Sequence, residues 1–597
     1  MPAEIGKTLL DAAQSVGVDV SAICGGVGSC GKCEVVIKQG AGSLDALTDC
    51  ETLSFSEDRI GAGYRLACQA KVVDSGTVVV EIPLESRGSR YRLQVEGLET
   101  PVQLNPSVTG VELGVAAPSL QSVVSLHDAL MNAALEQGLK LEETELECLL
   151  TLGDSLRIFD WKVQAVTYDG RRLMEVTRPG APILGMAFDI GTTKLAGYLV
   201  DLKSGRLLAK ASEVNPQVVY GEDVMSRLTY LIREKDGLSS LVGVVRSTLN
   251  SMIGEACKIA GASREDVEEV VLVGNTLMHH LALGVEPSSL GRAPYAPVIS
   301  SSYAVEAGKV GIAGGRGCMA YFLPNVAGFV GADCVADVIA TGLDQGIGNK
   351  LLVDIGTNTE LVLAVDDELW GASSASGPAF EGAHIKHGMR AMSGAIEHVA
   401  IDEALNVHCT TVDGSAPVGI CGSGVIDTVK ELVHRRVVDT SGRMDDKSAP
   451  NLIIKGEDCL EFVLSESAAS GGRAVTFTQR DVREIQKAKG AIATGIKILL
   501  ARTGVSKGSL EHVYVAGAFG TYIDLENAIS IGMLPDVPPR QIKQVGNSAG
   551  TGARMCLLSK EEKKRADRVA SKMKYVELAT HAEFQDTYLG SLKLDRF

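Results

Sequence analysis

The chain has 597 residues, 45% hydrophobic and 22% charged, with a net charge of −17. That length holds about three or four domains of about 150 residues, and an acidic balance without a long run of either sign argues against nucleic acid as a partner. The start, MPAEIGKTLLDAAQ, has no basic segment followed by an apolar one, and no apolar run approaches the roughly 20 residues of a membrane helix; neither a signal peptide nor a membrane span is expected, and the reading is cytoplasmic. Thirteen cysteines in a reducing compartment then point to metal binding or buried thiols, not to a disulfide framework.

The first predicted element is a short helix in KTLLDAAQSVGV, with Leu9, Leu10, Ala13 and Val16 on one face. It leads into ICGGVGSCGKC at 23–33. The glycines there fit a dinucleotide fingerprint and nearly fit a P-loop. A helix precedes them where a strand is needed, and Cys33 stands where a P-loop requires Ser or Thr. Only Cys30-x-x-Cys33 is paired, which excludes a zinc site built from two knuckles. A cluster remains, with Cys24, Cys30 and Cys33 in a loop of small residues whose backbone can curl round an inorganic core and aim N–H groups at sulfur. The fourth ligand is Cys50, in ALTDCETL, or Cys68, in YRLACQAKVV.

The spacing C-x5-C-x2-C-x34-C and the segment Arg65-Leu-Ala-Cys68-Gln69 resemble adrenodoxin-type [2Fe–2S] ferredoxins, one residue longer in the first gap than the plant type. The resemblance selects Cys68. Ferredoxin domains of this kind open with a β-hairpin before the first helix. This chain starts almost at that helix, so either the hairpin is replaced or the start of the sequence is late; a missing edge would expose unpaired strand groups.

Residues 88–180 carry no chemical motif. Residues 88–115 are polar and strand-like and are read as a linker. From 116 to 180 a small α+β adapter is expected, with Leu120, Val123, Val124, Leu126 and Leu130 as one core-facing helical stripe. WKVQAVTYDGRRLMEV is expected to form a hairpin turning at Asp-Gly.

From 181 to 597 two halves repeat. FDIGTTKLAGYLVD at 188–201 aligns with VDIGTNTELVLAVD at 353–366, and GASREDVEEVVLVG at 261–274 aligns with GVSKGSLEHVYVAG at 504–517. A tight strand–Gly–Thr–strand turn presents N–H groups and hydroxyls to phosphate oxygens, and a strand carboxylate before it can hold Mg2+ through water. Asp189 and Asp354 are the expected carboxylates. Gly191, Thr192, Thr193 and Lys194 form one cradle and Gly356, Thr357 and Asn358 the other. Gly517, Ala518, Phe519 and Gly520 would let an adenine approach the backbone, and Gly422, in GICGSG, belongs to a further candidate loop. Three features receive ordinary structural readings: His279-His280 as structural or interface residues, Asp333 and Asp337 as solvated or capping, and SKEEKKRADR at 559–568 as a charged helix surface with i,i+4 pairs.

This duplicated pattern resembles the acetate and sugar kinase/Hsp70/actin superfamily of ATPases. Asn215-Pro-Gln, Gly274-Asn275-Thr276, Leu323-Pro-Asn-Val-Ala-Gly328 and Ser376-Gly-Pro-Ala-Phe-Glu-Gly382 further resemble the reductive activators of corrinoid enzymes, which join a ferredoxin-like domain to such an ATPase in the order found here. The resemblance implies a multidomain α/β and α+β fold. A β-grasp ferredoxin-like domain occupies 1–87, a linker 88–115, a middle domain 116–180, and a duplicated ribonuclease H-like (actin/Hsp70-type) ATPase domain 181–597. It implies a [2Fe–2S] cluster, ATP and Mg2+ as cofactors. The partners would be a corrinoid protein, an upstream electron donor and a second copy in a homodimer. The implied activity passes one electron uphill to cobalt(II), giving cobalt(I) for methyl transfer. Each 100 mV uphill costs about 2.3 kcal/mol, which a nucleotide can offset only by binding two conformations differently. A small-molecule kinase is the alternative, and it leaves the ferredoxin region without a task.

Overall fold

The computed structural model describes residues 3–15, 20, 28, 33–83, 97–98, 100–121, 123–456, 458–466 and 474–597. Among them no helix is long and apolar enough to cross a membrane.

The N-terminal unit is a three-stranded antiparallel sheet, with Glu34–Gln39 between Tyr64–Leu66 and Val79–Glu81. The helix Leu9–Ser15 covers it, burying Leu9, Leu10 and Ala13 against Val35, Leu66 and Val72; Val16 lies outside the described residues. Ahead of that helix the described residues contain a single bridge, Thr8 to Lys71, and no hairpin.

The middle unit is a four-stranded sheet ordered Val108–Gly114, Lys162–Tyr168, Arg172–Thr177, Glu143–Thr144. Its central hairpin turns at Asp169 (φ 54°) and Gly170 (φ 68°), the pair of positive φ values that a two-residue Asp-Gly turn needs. Two sequence expectations change here. Val108–Gly114, placed in the linker, pairs along its whole length with Lys162–Tyr168, because its alternation of inward and outward residues fits the face of the sheet that carries Val163 and Ala165. The stripe of five does not form: the helix starts at Leu126, Leu130 is buried, and Leu120 and Val123 are exposed. The chain ahead of the Ser125 cap is not helical, so a 3.6-residue period there has no physical meaning.

The remaining chain contains the two predicted halves. In the first, Leu184–Ile190, Lys194–Asp201 and Leu207–Val214 form an antiparallel meander, and Val267–Gly274 runs parallel to Leu184–Ile190. In the second, Asn349–Ile355, Thr359–Val365 and Glu368–Ser374 form the same meander, and Leu510–Ala516 runs parallel to Asn349–Ile355. Asp189 lies opposite Val273 and Asp354 opposite Ala516. The two aligned sequence pairs therefore sit side by side at the same end of their respective sheets. The helices Ala332–Thr341 and Ser548–Leu558 pack together in a core that takes residues from both halves, including Val271, Leu352 and Val362.

The middle unit shares that core through Val108, Val166 and Met174. At the junction lies Lys563, with a 7% exposed side chain, donating to Ser107 Oγ at 2.8 Å and to the fully buried Glu269 at 2.5 Å. This corrects the reading of 559–568 as a charged surface. Lys563 and Arg565 face inward, Arg565 pairs with Asp344, and the exposed pairs are spaced i,i+3, as in Glu561–Lys564. Residues 97, 98 and 100–105 run against the C-terminal helices and strands, with Leu98 N–H donating to Val545 O at 3.2 Å. Gly97 bridges Gly546, and Asn105 N–H donates to Leu558 O at 2.8 Å.

Candidate functional site

Of the four expected cluster ligands, Cys24 and Cys30 lie outside the described residues. Cys33 opens the central strand and Cys68 follows Tyr64–Leu66, which pairs with it. This register brings the two sulfurs to 3.3 Å, with the residues 1% and 6% exposed. That is too long for a disulfide of about 2.05 Å and suits two thiolates converging on one metal, given metal–sulfur bonds of about 2.3 Å. The Gln69 amide donates to Cys68 Sγ at 3.5 Å. A side chain on Gly28 (φ 84°) would stand 2.9 Å from that amide and 3.0 Å from Cys50 Cβ. The donor set and the glycine clearance both fit a cluster. Glu51, beside Cys50, fixes the approach to Cys68: its carboxylate accepts from Arg65 Nε (2.7 Å) and Leu66 N–H (2.9 Å). Burial works against its charge, yet the Arg65, Thr48 and Leu66 donors outweigh burial and hold its pKa below the usual range.

The two Gly-Thr turns face each other across a cleft of about 290 Å³ between the halves. Thr193 Oγ1 and Thr357 Oγ1 stand 3.3 Å apart, and both donate to Glu381, at 3.2 and 2.6 Å. The two turns thus already converge on one pair of carboxyl oxygens. The expected residues Asp189, Gly191, Thr192, Thr193, Lys194, Asp354, Gly356, Thr357, Asn358, Gly422, Gly517 and Phe519 all line the cleft.

Gly520 does not line it; a side chain there would meet Val515. Ala518 sits in the same helical turn, and its side chain lies outside the described residues. Gly517 (φ 88°) has no room for a Cβ, which would stand 2.4 Å from Ile355 O and 2.5 Å from the Asp354 carboxylate. Phe519 stacks on Phe380 at 4.9 Å, and a Cβ on Gly422 would strike both Phe519 and the Phe380 carbonyl. Gly422 also starts the helix Gly422–His434, so this loop is both a helix entry and a cleft wall. Cys421 is buried, its thiol donating to Ile396 O at 3.3 Å.

The floor of the cleft is the largest addition to the sequence reading. Asp333 lines it and Asp337 is fully buried beneath it, so Asp337 is not solvated. The helix Ala332–Thr341 is buried on nearly all sides, which leaves the i,i+4 pair no solvent face. Ser548 donates to Asp337 at 2.5 Å; burial first, and the Asp354 charge second, push the Asp337 pKa well up. Burial raises Asp189 to about 6, against the pull of Asn547 and Lys194, and Asp333 to about 7. It lowers Lys194 to about 8. Glu360 is pushed well up by burial. Five acidic side chains, Asp189, Asp333, Asp354, Glu360 and Glu381, line the cleft with two basic ones, Lys194 and Arg390.

Several residues brace the two turns, and among them Asn547 and Arg227 escaped the sequence reading. Asn547 donates to Asp189 at 2.8 Å and Asn275 to Thr192 Oγ1 at 2.9 Å; each caps the helix it precedes. The signal was available as a second repeat, Gly274-Asn-Thr and Gly546-Asn-Ser. The fully buried Arg227 donates to Thr192 O, to Gly221 O at 2.8 Å and to Gln217 Oε1 at 3.1 Å, clamping the first turn from behind. Burial lowers its pKa to about 9. Asn215, of Asn-Pro-Gln, donates to Gly191 O at 2.8 Å, and Ser376, of Ser-Gly-Pro-Ala-Phe-Glu-Gly, to Gly356 O at 3.3 Å. His279 and His280 are structural. Both are buried, and His280 bridges Thr276 O and Val298 N–H.

Comparisons with known proteins agree with this arrangement. Residues 1–73 match the 2Fe-2S iron-sulfur cluster binding domain, 184–346 the RACo middle region, and 348–596 the C-terminal domain of RACo, the ASKHA domain. The corrinoid activation enzyme RamQ of Eubacterium limosum is 31% identical over 587 residues, 97% of this chain and 95% of that one. The [Co(II) methylated amine-specific corrinoid protein] reductase of Methanosarcina barkeri is 23% identical over 68% of this chain and 76% of its own. A solved structure of a reductive activator for corrinoid, iron-sulfur protein superposes with a TM-score of 0.75 at 34% identity, covering 100% of this chain and 96% of that one. With a ferredoxin-type unit, a two-turn cleft and a relative of this identity along nearly its whole length, the chain belongs to the RACo family of corrinoid activators.

Proposed function

We propose that this protein is an ATP-hydrolysing reductive activator of a corrinoid protein, with Cys24, Cys30, Cys33 and Cys68 holding a [2Fe–2S] cluster and the cleft holding ATP with Mg2+. The observation that carries this reading is the presence, in one chain, of a buried thiol pair and a two-half phosphate cleft over the length shared with RamQ. When bound, such a cluster supplies one-electron transfer. The chain's own residues do the rest. Gln69 donates to a ligand sulfur and favours its charged form. Thr193 and Thr357 reach one anionic group from opposite halves, so occupancy of the cleft changes how the halves sit together. A polyphosphate is itself strongly anionic and calls for a divalent cation, and Asp189 and Asp354, which line the cleft, would hold its water shell. The wall formed by Gly517, Phe519 and Gly422 receives the adenosine. The partners are a corrinoid protein in its cobalt(II) state, a cellular electron donor and a second copy of the chain, in the cytoplasm.

The test is ATP turnover by the reconstituted chain with different acceptors present. Turnover that rises with a cobalt(II) corrinoid protein and is indifferent to sugars and acetate is expected. Phosphorylation of a sugar or carboxylic acid, with no response to the corrinoid protein, would replace this reading with the kinase.

A further inference from the structure

Glu381 is the one lining carboxyl group that joins the two phosphate turns among the described residues. It ends the short turn Pro378–Glu381, held between Gly377 (φ 72°) and Gly382 (φ 85°). Ala379 and Phe380 of that turn are buried, and Phe380 is stacked on Phe519, so the backbone that carries Glu381 is fixed. Its two oxygens accept from Thr193 in the first half and Thr357 in the second. Of the other lining acids, Asp189 accepts from Asn547 and Asp333 from the Cys334 N–H, and burial pushes Asp354 and Glu360 above the usual carboxylate range. The described lining includes no histidine, and Cys421 faces Ile396 O.

A phosphate taken up by the two threonines must lie within one hydrogen bond, or one water, of the Glu381 carboxylate. That is the reach a general base requires. We propose that Glu381 is the base of nucleotide hydrolysis in this protein; the assignment rests on the ATPase reading above. The carboxylate takes a proton from a water as the water oxygen bonds to the terminal phosphorus. The bond from that phosphorus to the bridging oxygen breaks, and ADP leaves with the electron pair. The proton returns from Glu381 to solvent. Before nucleotide binds, the same carboxylate joins the two turns, so binding frees the base at the moment its substrate arrives.

Glu381→Gln keeps an oxygen to accept from the threonines and removes the basicity. In the full-length chain, a fluorescent ATP analogue should bind Glu381→Gln within about threefold of wild type or more tightly, since one negative charge is gone. ATP hydrolysis should fall about 100-fold or more, and the acidic limb of the kcat–pH profile should disappear. Glu381→Asp, which keeps a shortened base, should recover part of the rate and the acidic limb. Hydrolysis by Glu381→Gln within about threefold of wild type overturns the assignment, as does a loss of affinity equal to the loss of rate, which would make Glu381 a strut between the turns. A wild-type chain that binds no nucleotide overturns the ATPase reading and this assignment with it.

Discussion

Replacing Arg227 with methionine should unseat the first phosphate turn without touching any residue that lines the cleft. The guanidinium is fully buried and donates to Thr192 O, Gly221 O and Gln217 Oε1. Three hydrogen bonds from a charged donor are worth about 1.5–3 kcal/mol each. Against this, a pKa lowered by burial from 12.5 to about 9 means that keeping the group charged costs about 5 kcal/mol. The native balance is therefore small, but methionine restores none of the three acceptors. Removing one side of a buried charged network costs about 3–5 kcal/mol. At about 2 °C per kcal/mol for a large domain, the ATPase transition should melt about 6–10 °C lower. Nucleotide affinity should weaken about tenfold or more, because Thr192 and Thr193 lose their support. Arg227→Lys should recover less than half of either loss, since one ammonium cannot reach three acceptors spread along a guanidinium. A methionine variant that melts within about 2 °C of wild type and binds nucleotide within about threefold would refute the argument that this arginine positions the turn.

Two further outcomes follow from the same geometry. Cys68→Ser should abolish the EPR signal of a reduced [2Fe–2S] cluster while Cys50→Ser leaves it intact, because Cys68, not Cys50, has its sulfur 3.3 Å from that of Cys33; the reverse pattern would move the fourth ligand. Mg2+-dependent nucleotide affinity should decline as pH falls through about 6. Burial raises Asp189 to that value, so below it the group is a neutral acid that no longer attracts a cation, and above it a carboxylate; titration calorimetry at pH 5 to 8 would show a flat profile if Asp189 takes no part.

What could be read from the sequence was what chemistry repeats. Each half needs its own phosphate turn, so DIGT appears twice, and each turn needs a neighbouring strand that ends on a glycine. The register of the N-terminal sheet was also implicit in the cysteine spacing. What could not be read was set by contacts between distant segments. Asp337 has the spacing of a surface acid, but its helix is enclosed by both halves. Lys563 lies in a charge-rich stretch whose inner face meets Glu269 and Ser107, about 300 and 450 positions away in the chain. Arg227 shares the inward face of the helix Val224–Arg233 with Val224, Leu228 and Leu231, but nothing in that period names the turn it braces. Helical period shows which side chains share a face and not what that face meets. Val108–Gly114 escaped for a related reason: a strand that contributes two deeply buried side chains to its sheet reads as polar until its partner is known.

The central claim is that nucleotide occupancy of the cleft permits an electron to leave the thiolate-bound centre for a corrinoid. Its most direct test is to mix the reduced, reconstituted chain with a cobalt(II) corrinoid protein, with Mg2+–ATP as the single variable, and follow cobalt(I) by its visible absorption. The account predicts cobalt(I) with ATP and little without it. Equal cobalt(I) formation in both mixtures would contradict it.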